Sequence, residues 1–193
     1  MSDNGAVINV INSREKALEV FKKYNKSEAL LRHAQHVSYV CAHFAGLEGE
    51  DAEKWAIIGL LHDIDYEMYP DRHCEMAAVI LKEEGLPEDM IHSVVCHGYG
   101  ICSEVEPESY MEKMLYTIDE LTGLIHATAL MRPSKSTSDL EYKSVLKKYK
   151  TPTFAAGVSR ELIEKGLKLV DKDLEYVINN CIAAMRKMEI ENP

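Results

Sequence analysis

Apolar positions recur along most of this chain at spacings of three and four, the mark of amphipathic helices. The first such segment puts Ala17, Leu18, Phe21 and Tyr24 on one face, after a capping pattern of Asn12 and Glu15. Asn25-Lys26-Ser27 breaks it, and Ser27 is placed to cap a second helix. That helix carries Leu30, Ala34, Val37, Cys41 and Phe44 on one face and ends near Gly46. A third starts around Glu50 and runs through Trp55-Ala56-Ile57-Ile58-Gly59-Leu60-Leu61 to His62 and Asp63. After a loop from Asp65, Pro70 opens a fourth helix, which stops at Gly85. Pro87, Glu88 and Asp89 open a fifth that ends at His97 and Gly98.

Ser109 with Glu112 makes a capping box for a long sixth helix, apolar at Met111, Met114, Leu115, Ile118, Leu121 and Ile125. Ser138 with Glu141 caps a short, lysine-rich seventh, and Val158 and Ile163 flank Ser159 as a hydrophobic staple would. The last helix aligns Leu174, Val177, Ile178, Cys181, Ile182 and Met185. That stripe packs on its own domain by default, or on a second copy in a homodimer. Ala6 to Ile11 alternates in the manner of a strand. The predicted class is all-α.

At 193 residues the chain reads as a single domain, 1–193, with a core over about 27–125 and a helical extension over about 136–190. A net charge of −10 speaks against an extended nucleic-acid surface and leaves room for a small anionic substrate neutralised locally. The five cysteines are odd in number and form no C-x-x-C pair, so neither a disulfide framework nor a thiolate zinc site is expected, and a cytoplasmic setting is. Met1 to Val10 lacks the pattern of a signal peptide, and no apolar run approaches the ~20 residues that cross a membrane.

Ending an apolar run on His62-Asp63 places an imidazole and a carboxylate at the edge of the core, where the carboxylate needs a cationic partner. His33 shares the core face of its helix with Leu30, Ala34, Val37 and Cys41, whereas His36 and His43 fall with Arg32 and Tyr39 on a face that reads as solvated. His73 heads the apolar face of the fourth helix and His97 ends the fifth; each is placed either to ligate a metal or to cap a carbonyl. His92 and His126 read as structural. Asp119 lies at the edge of the sixth helix's apolar stripe, calling for a metal or a basic partner, and Glu120 falls on the polar face with Glu112, Lys113 and Tyr116. Separate helices would then deliver one or two ligands each into a bundle interior.

These residues resemble the signature of the HD superfamily of metal-dependent phosphohydrolases: a His (Leu31-Arg32-His33-Ala34), a His-Asp pair (Leu60-Leu61-His62-Asp63-Ile64) and a distant Asp (Tyr116-Thr117-Ile118-Asp119-Glu120-Leu121). The resemblance spans roughly Ser27 to Ile125, and Asp119 to Ile125 with Arg132-Pro133-Ser134-Lys135 extends it towards one subgroup of HD hydrolases. It implies one or two divalent ions, with Fe, Mn, Zn, Co, Ni and Mg not distinguished. His73 and His97 resemble the added ligands of two-metal members, including those that cleave diadenosine tetraphosphate, with Asp63 as the bridge.

The implied activity is hydrolysis of a small, nucleotide-like phosphoester or phosphoanhydride. Catalysis would fall to Asp63, with Asp65 or a non-ligating His as proton shuttle. Many relatives read His-Asp-Ile-Gly-Lys, but Asp65 and Tyr66 stand in place of the Gly and Lys here, so Arg132, Lys135 or Arg72 is expected to hold the phosphate. Two competing readings are a di-iron HD-type oxygenase and a catalytically inactive nucleotide-binding module.

Overall fold

The structure, a computed structural model, describes residues 11–192; apart from Ile11, the alternating stretch from Ala6 lies outside them. The described residues form nine α-helices: α1 (Arg14–Tyr24), α2 (Glu28–Glu48), α3 (Ala52–Leu61), α4 (Glu75–Glu83), α5 (Glu88–Val95), α6 (Tyr110–Leu130), α7 (Tyr142–Tyr149), α8 (Arg160–Val170) and α9 (Leu174–Glu191). Two 3-10 turns, Pro70–Arg72 and Cys96–Gly98, flank α4 and α5. The class is all-α, and no strand is present among the described residues.

Side-chain caps set several helix starts. Ser27 accepts from Leu30 N, Asp51 from Glu53 N and Lys54 N, Ser159 from Leu162 N, and Ser109 with Glu112 closes a full capping box. Other boundaries differ from expectation. Ser13 caps α1, not Asn12. The second helix passes Gly46, where nothing obliges it to stop, and ends where Gly49 turns left-handed at φ 72°. Pro70 opens only a 3-10 turn, and α4 begins five residues later. No side chain caps α7, so Ser138 and Glu141 make no box.

The long helices α2 and α6 form the centre. Helix α3 lies tightly on α2, because Gly59 presents no side chain there: a Cβ would stand 2.9 Å from Cys41 Sγ and 3.0 Å from the Val37 carbonyl. Helix α8 packs on α6 and α9 packs on α2, burying the Val177, Ile178, Cys181, Ile182 and Met185 stripe within the chain. With α3, α6 and α9 all against it, α2 has little solvated face, and His36 is buried rather than exposed. The supposed polar face of α6 is also partly interior, since Glu112 and Tyr116 are both buried. Burial of Glu112 is offset by N–H donors from Glu108 and Ser109 and by His92 and Ser93.

Candidate metal centre

Four histidines and two aspartates converge where the C-terminal end of α3 meets α2 and α6. His33 comes from the second turn of α2 and Asp119 from mid-α6, with His33 Nε2 2.9 Å from Asp119 Oδ1. His62 is the residue that ends α3; it is fully buried, and its Nδ1–H donates to the Gly59 carbonyl at 2.8 Å. The close α2–α3 approach at Gly59 brings His62 Nε2 to 3.2 Å from His33 Nε2. His73 follows the first 3-10 turn and His97 lies in the second, their Nε2 atoms 3.1 Å apart.

Asp63 stands between the pairs. Its Oδ2 is 3.2 Å from His62 Nε2 and 3.8 Å from His33 Nε2, while its Oδ1 is 3.4 Å from His73 Nε2 and 3.6 Å from His97 Nε2. One carboxylate thus offers one oxygen to each imidazole pair.

The outer hydrogen bonds decide the tautomers. A carbonyl can only accept, so His62 and His97, which donate through Nδ1 to the Gly59 and Val94 carbonyls, turn Nε2 lone pairs inward. His73 Nδ1 likewise donates to Asp65 Oδ1 at 2.8 Å. In the His73/His97 pair two Nε2 lone pairs then face one another at 3.1 Å, an arrangement that a cation between them would relieve. Two ligands about 2.1 Å from one ion, at tetrahedral to octahedral angles, stand about 3.0–3.4 Å apart, and both nitrogen pairs fall in that interval. Nitrogen and carboxylate donors, with three of the four imidazoles oriented from behind by a hydrogen bond, fit a divalent metal.

The local field agrees. Burial alone would push the His62 imidazole down, but the Asp63 and Asp119 carboxylates outweigh it and hold it well above its usual range. Burial would raise Asp63 and Asp119, yet the imidazole of His62 beside them keeps both carboxyls below theirs. For His73, burial is likewise overcome, chiefly by its hydrogen bond to Asp65.

Several expected roles move. Asp65 is fully buried, with its oxygens taken by His73 Nδ1 and Ala77 N, so it stands behind His73 and does not line the cleft. Arg132 pairs with Asp139 at 2.9 Å, Lys135 is exposed on its own turn, and neither lines the cleft over the histidines. Arg72 is bound to Glu75. A further acid-bearing group, His92, Cys96 and Glu112, has its carboxylate fully engaged and lies apart from the cleft.

The cleft, about 330 Å³, is walled by Tyr66, Tyr116 and Glu120 and closed by Gly157 and Val158 from the segment before α8. Glu120 Oε2 accepts from Ser159 N at 3.1 Å and so ties that wall to α6. The Arg160 guanidinium holds the same segment by donating to the carbonyls of Phe154 (2.6 Å), Ala155 (2.7 Å) and Val158 (2.8 Å). Beside it, Lys165 Nζ sits 4.4 Å from the Tyr99 ring centroid and 5.5 Å from that of Tyr116, held by aromatic faces. Glu120 adjoins Asp119 in sequence, a signal that was available; nothing in the α8 pattern announces Lys165.

Ribonuclease Y of Nitratidesulfovibrio vulgaris (strain DP4) is 26% identical over 175 residues, covering 86% of this chain and 33% of that protein. Ribonuclease Y of Oleidesulfovibrio alaskensis is 29% identical over 100 residues, 50% of this chain and 18% of that protein. The chain therefore spans a third or less of the length of these relatives. No solved structure matches it. The HD domain profile matches residues 30–135, a span that contains all six converging side chains, and the chain belongs to the HD-domain family.

Proposed function

We propose that this protein is a metal-dependent phosphohydrolase acting on a small, nucleotide-sized phosphoester or phosphoanhydride. The observation that carries this reading is Asp63 placed between two imidazole pairs. His33, His62, Asp119 and Asp63 Oδ2 would hold one ion, and His73, His97 and Asp63 Oδ1 a second. When bound, divalent ions supply Lewis acidity, lowering the pKa of water from 15.7 towards ~7 and drawing charge from a phosphoryl oxygen.

The chain's own residues fix the geometry in advance. The carbonyls of Gly59 and Val94 and the carboxylate of Asp65 lock three rings with Nε2 inward. A cleft of about 330 Å³ lies at the lower end for a small-molecule site and suits a phosphate carrying one compact group. Among the described residues no Lys or Arg lines it, so an anion would be drawn by the centre itself, with Lys165 beside Tyr116 as a nearby cation.

Likeness to ribonucleases favours a second reading, cleavage of an RNA phosphodiester. A strand would bring several phosphates against a protein of net charge −10, which weakens binding at each added contact. The test is metal analysis of protein purified without chelator, with anaerobic hydrolysis measured on nucleoside monophosphates, dinucleoside polyphosphates and short RNA. About two ions per chain, turnover of a small substrate, and loss on chelation reversed by added metal are expected. Activity that survives complete metal removal sinks the proposal; preference for RNA installs the second reading. A strict need for oxygen would point to oxidation instead.

A further inference from the structure

Two thiols meet beside the second imidazole pair. Cys74 Sγ and Cys102 Sγ are 3.2 Å apart, although 28 residues separate them in sequence. Cys74 directly follows His73 and adopts a left-handed φ of 69°, uncommon for a residue with a side chain. Cys102 sits in a tight turn in which the N–H groups of Ile101, Cys102 and Ser103 all donate to the Gly98 carbonyl, and Gly98 follows His97. A Cβ on Gly98 would collide with both sulfurs, so glycine there leaves the space in which they meet. Each sulfur is therefore fastened to the segment of a different histidine. Cys102 is exposed and borders the cleft, whereas Cys41, Cys96 and Cys181 are buried away from it.

We propose that Cys74 and Cys102 are a dithiol modification site that hydroperoxides convert to a disulfide, and that closing it weakens metal binding at the His73/His97 pair. The first part stands on the sulfur geometry; the second also rests on the metal reading above. In the reaction, the Cys102 sulfur attacks hydrogen peroxide and the O–O bond breaks, leaving a sulfenic acid and one water. The Cys74 sulfur then displaces the hydroxyl, which leaves with the thiol proton as a second water. Two thiols and one peroxide give one disulfide and two waters. Closure draws the sulfurs from 3.2 Å to about 2.05 Å, and the segments carrying His73 and His97 take up that movement.

The test treats the reduced, full chain with hydrogen peroxide and counts free thiols, with a non-reducing peptide map. The count should fall from five to three, with Cys74 linked to Cys102, and dithiothreitol should restore it. Cys74→Ser should leave Cys102 as a sulfenic acid open to trapping, and Cys102→Ser should leave the remaining thiols unreacted. Five thiols retained, a link to another cysteine, or thiols that react only after a chelator strips an ion from them would each overturn the modification site. Manganese(II) binding, measured on both forms, should fall from about two ions to about one on oxidation. A cross-linked protein that binds manganese as before overturns the coupling. A reduced protein that binds none indicts the metal reading and leaves the thiol result to be judged by itself.

Discussion

His33, His62 and Asp119 reach the centre from the long helices α2 and α6 and from the buried end of α3, whereas His73 and His97 reach it from short 3-10 turns. The first group is placed by the core: moving it means unpacking α2 from α3, whose separation is set at Gly59. The second is placed by local hydrogen bonds, His73 by the Asp65 carboxylate and His97 by the Val94 carbonyl. One side of the centre is thus as stiff as the fold, and the other is as stiff as a few polar contacts. Such turns open at lower free energy than packed helices do. A site built this way can vary one half while the other stays fixed.

Asp63→Ala should erase the difference, because the residue serves both halves. Hydrolysis should drop by at least roughly 10³-fold, equivalent to about 4 kcal/mol of lost stabilisation, with most of the metal gone. His73→Ala should instead remove about one ion and spare the other; equal loss in both variants would mean that the halves are not separable.

Asp65→Asn isolates the local support. Metal affinity of the second half should fall about 10–100-fold while the melting temperature changes little, as read by metal titration beside thermal denaturation. An unchanged affinity would show that the turn backbone alone suffices.

The stiff half carries a different liability. His36, one turn along α2 from His33, is pushed down to about 3 by burial, aided by His126, His33 and Arg32, and its Nε2 finds no partner among the described residues. Between pH 6.5 and 3 the unfolded chain binds a proton that the folded chain refuses. Stability from this residue is therefore complete above pH 6.5 and declines as pH falls, by about 1.4 kcal/mol, or tenfold in the folding equilibrium, per pH unit. Denaturant unfolding across that range should show the slope, and His36→Leu should flatten it.

The smallest effect concerns the cleft's outer edge. Lys165→Met should raise KM for a phosphorylated substrate roughly fivefold, about 1 kcal/mol, with kcat held. A fall in kcat instead would place the ammonium nearer the reacting phosphate than its aromatic cradle indicates.

What could be read from the residues follows the same division. Helical periodicity exposed His33 and Asp119 because each sits in a long helix with a buried stripe, and the apolar run before His62-Asp63 placed that pair. Periodicity puts His73 at the head of a helix face and His97 at a helix end, but both lie in turns outside α4 and α5, and the family resemblance alone marks them as added ligands. His36 was misplaced because one helix's pattern does not reveal that three others cover it. Arg132 and Lys135 were chosen by charge, which carries no direction, and Arg132 is satisfied by Asp139. Asp65 belongs in the centre's support, behind His73, which only the hydrogen bonds disclose. Lys165 depends on α8 lying against α6, a long-range fact.

Arg160 has a bearing on how much of the chain the centre needs. By gathering the carbonyls of Phe154, Ala155 and Val158, it freezes an otherwise irregular connector into the far bank of the cleft. All six converging side chains precede Leu130, whereas that bank follows it, together with α8 and α9, which cover α6 and α2. Ligand positions and cleft wall are therefore separable along the sequence: Arg160→Ala should loosen the wall while leaving the six side chains in place, visible as a broadened range among phosphoesters turned over before any loss of metal.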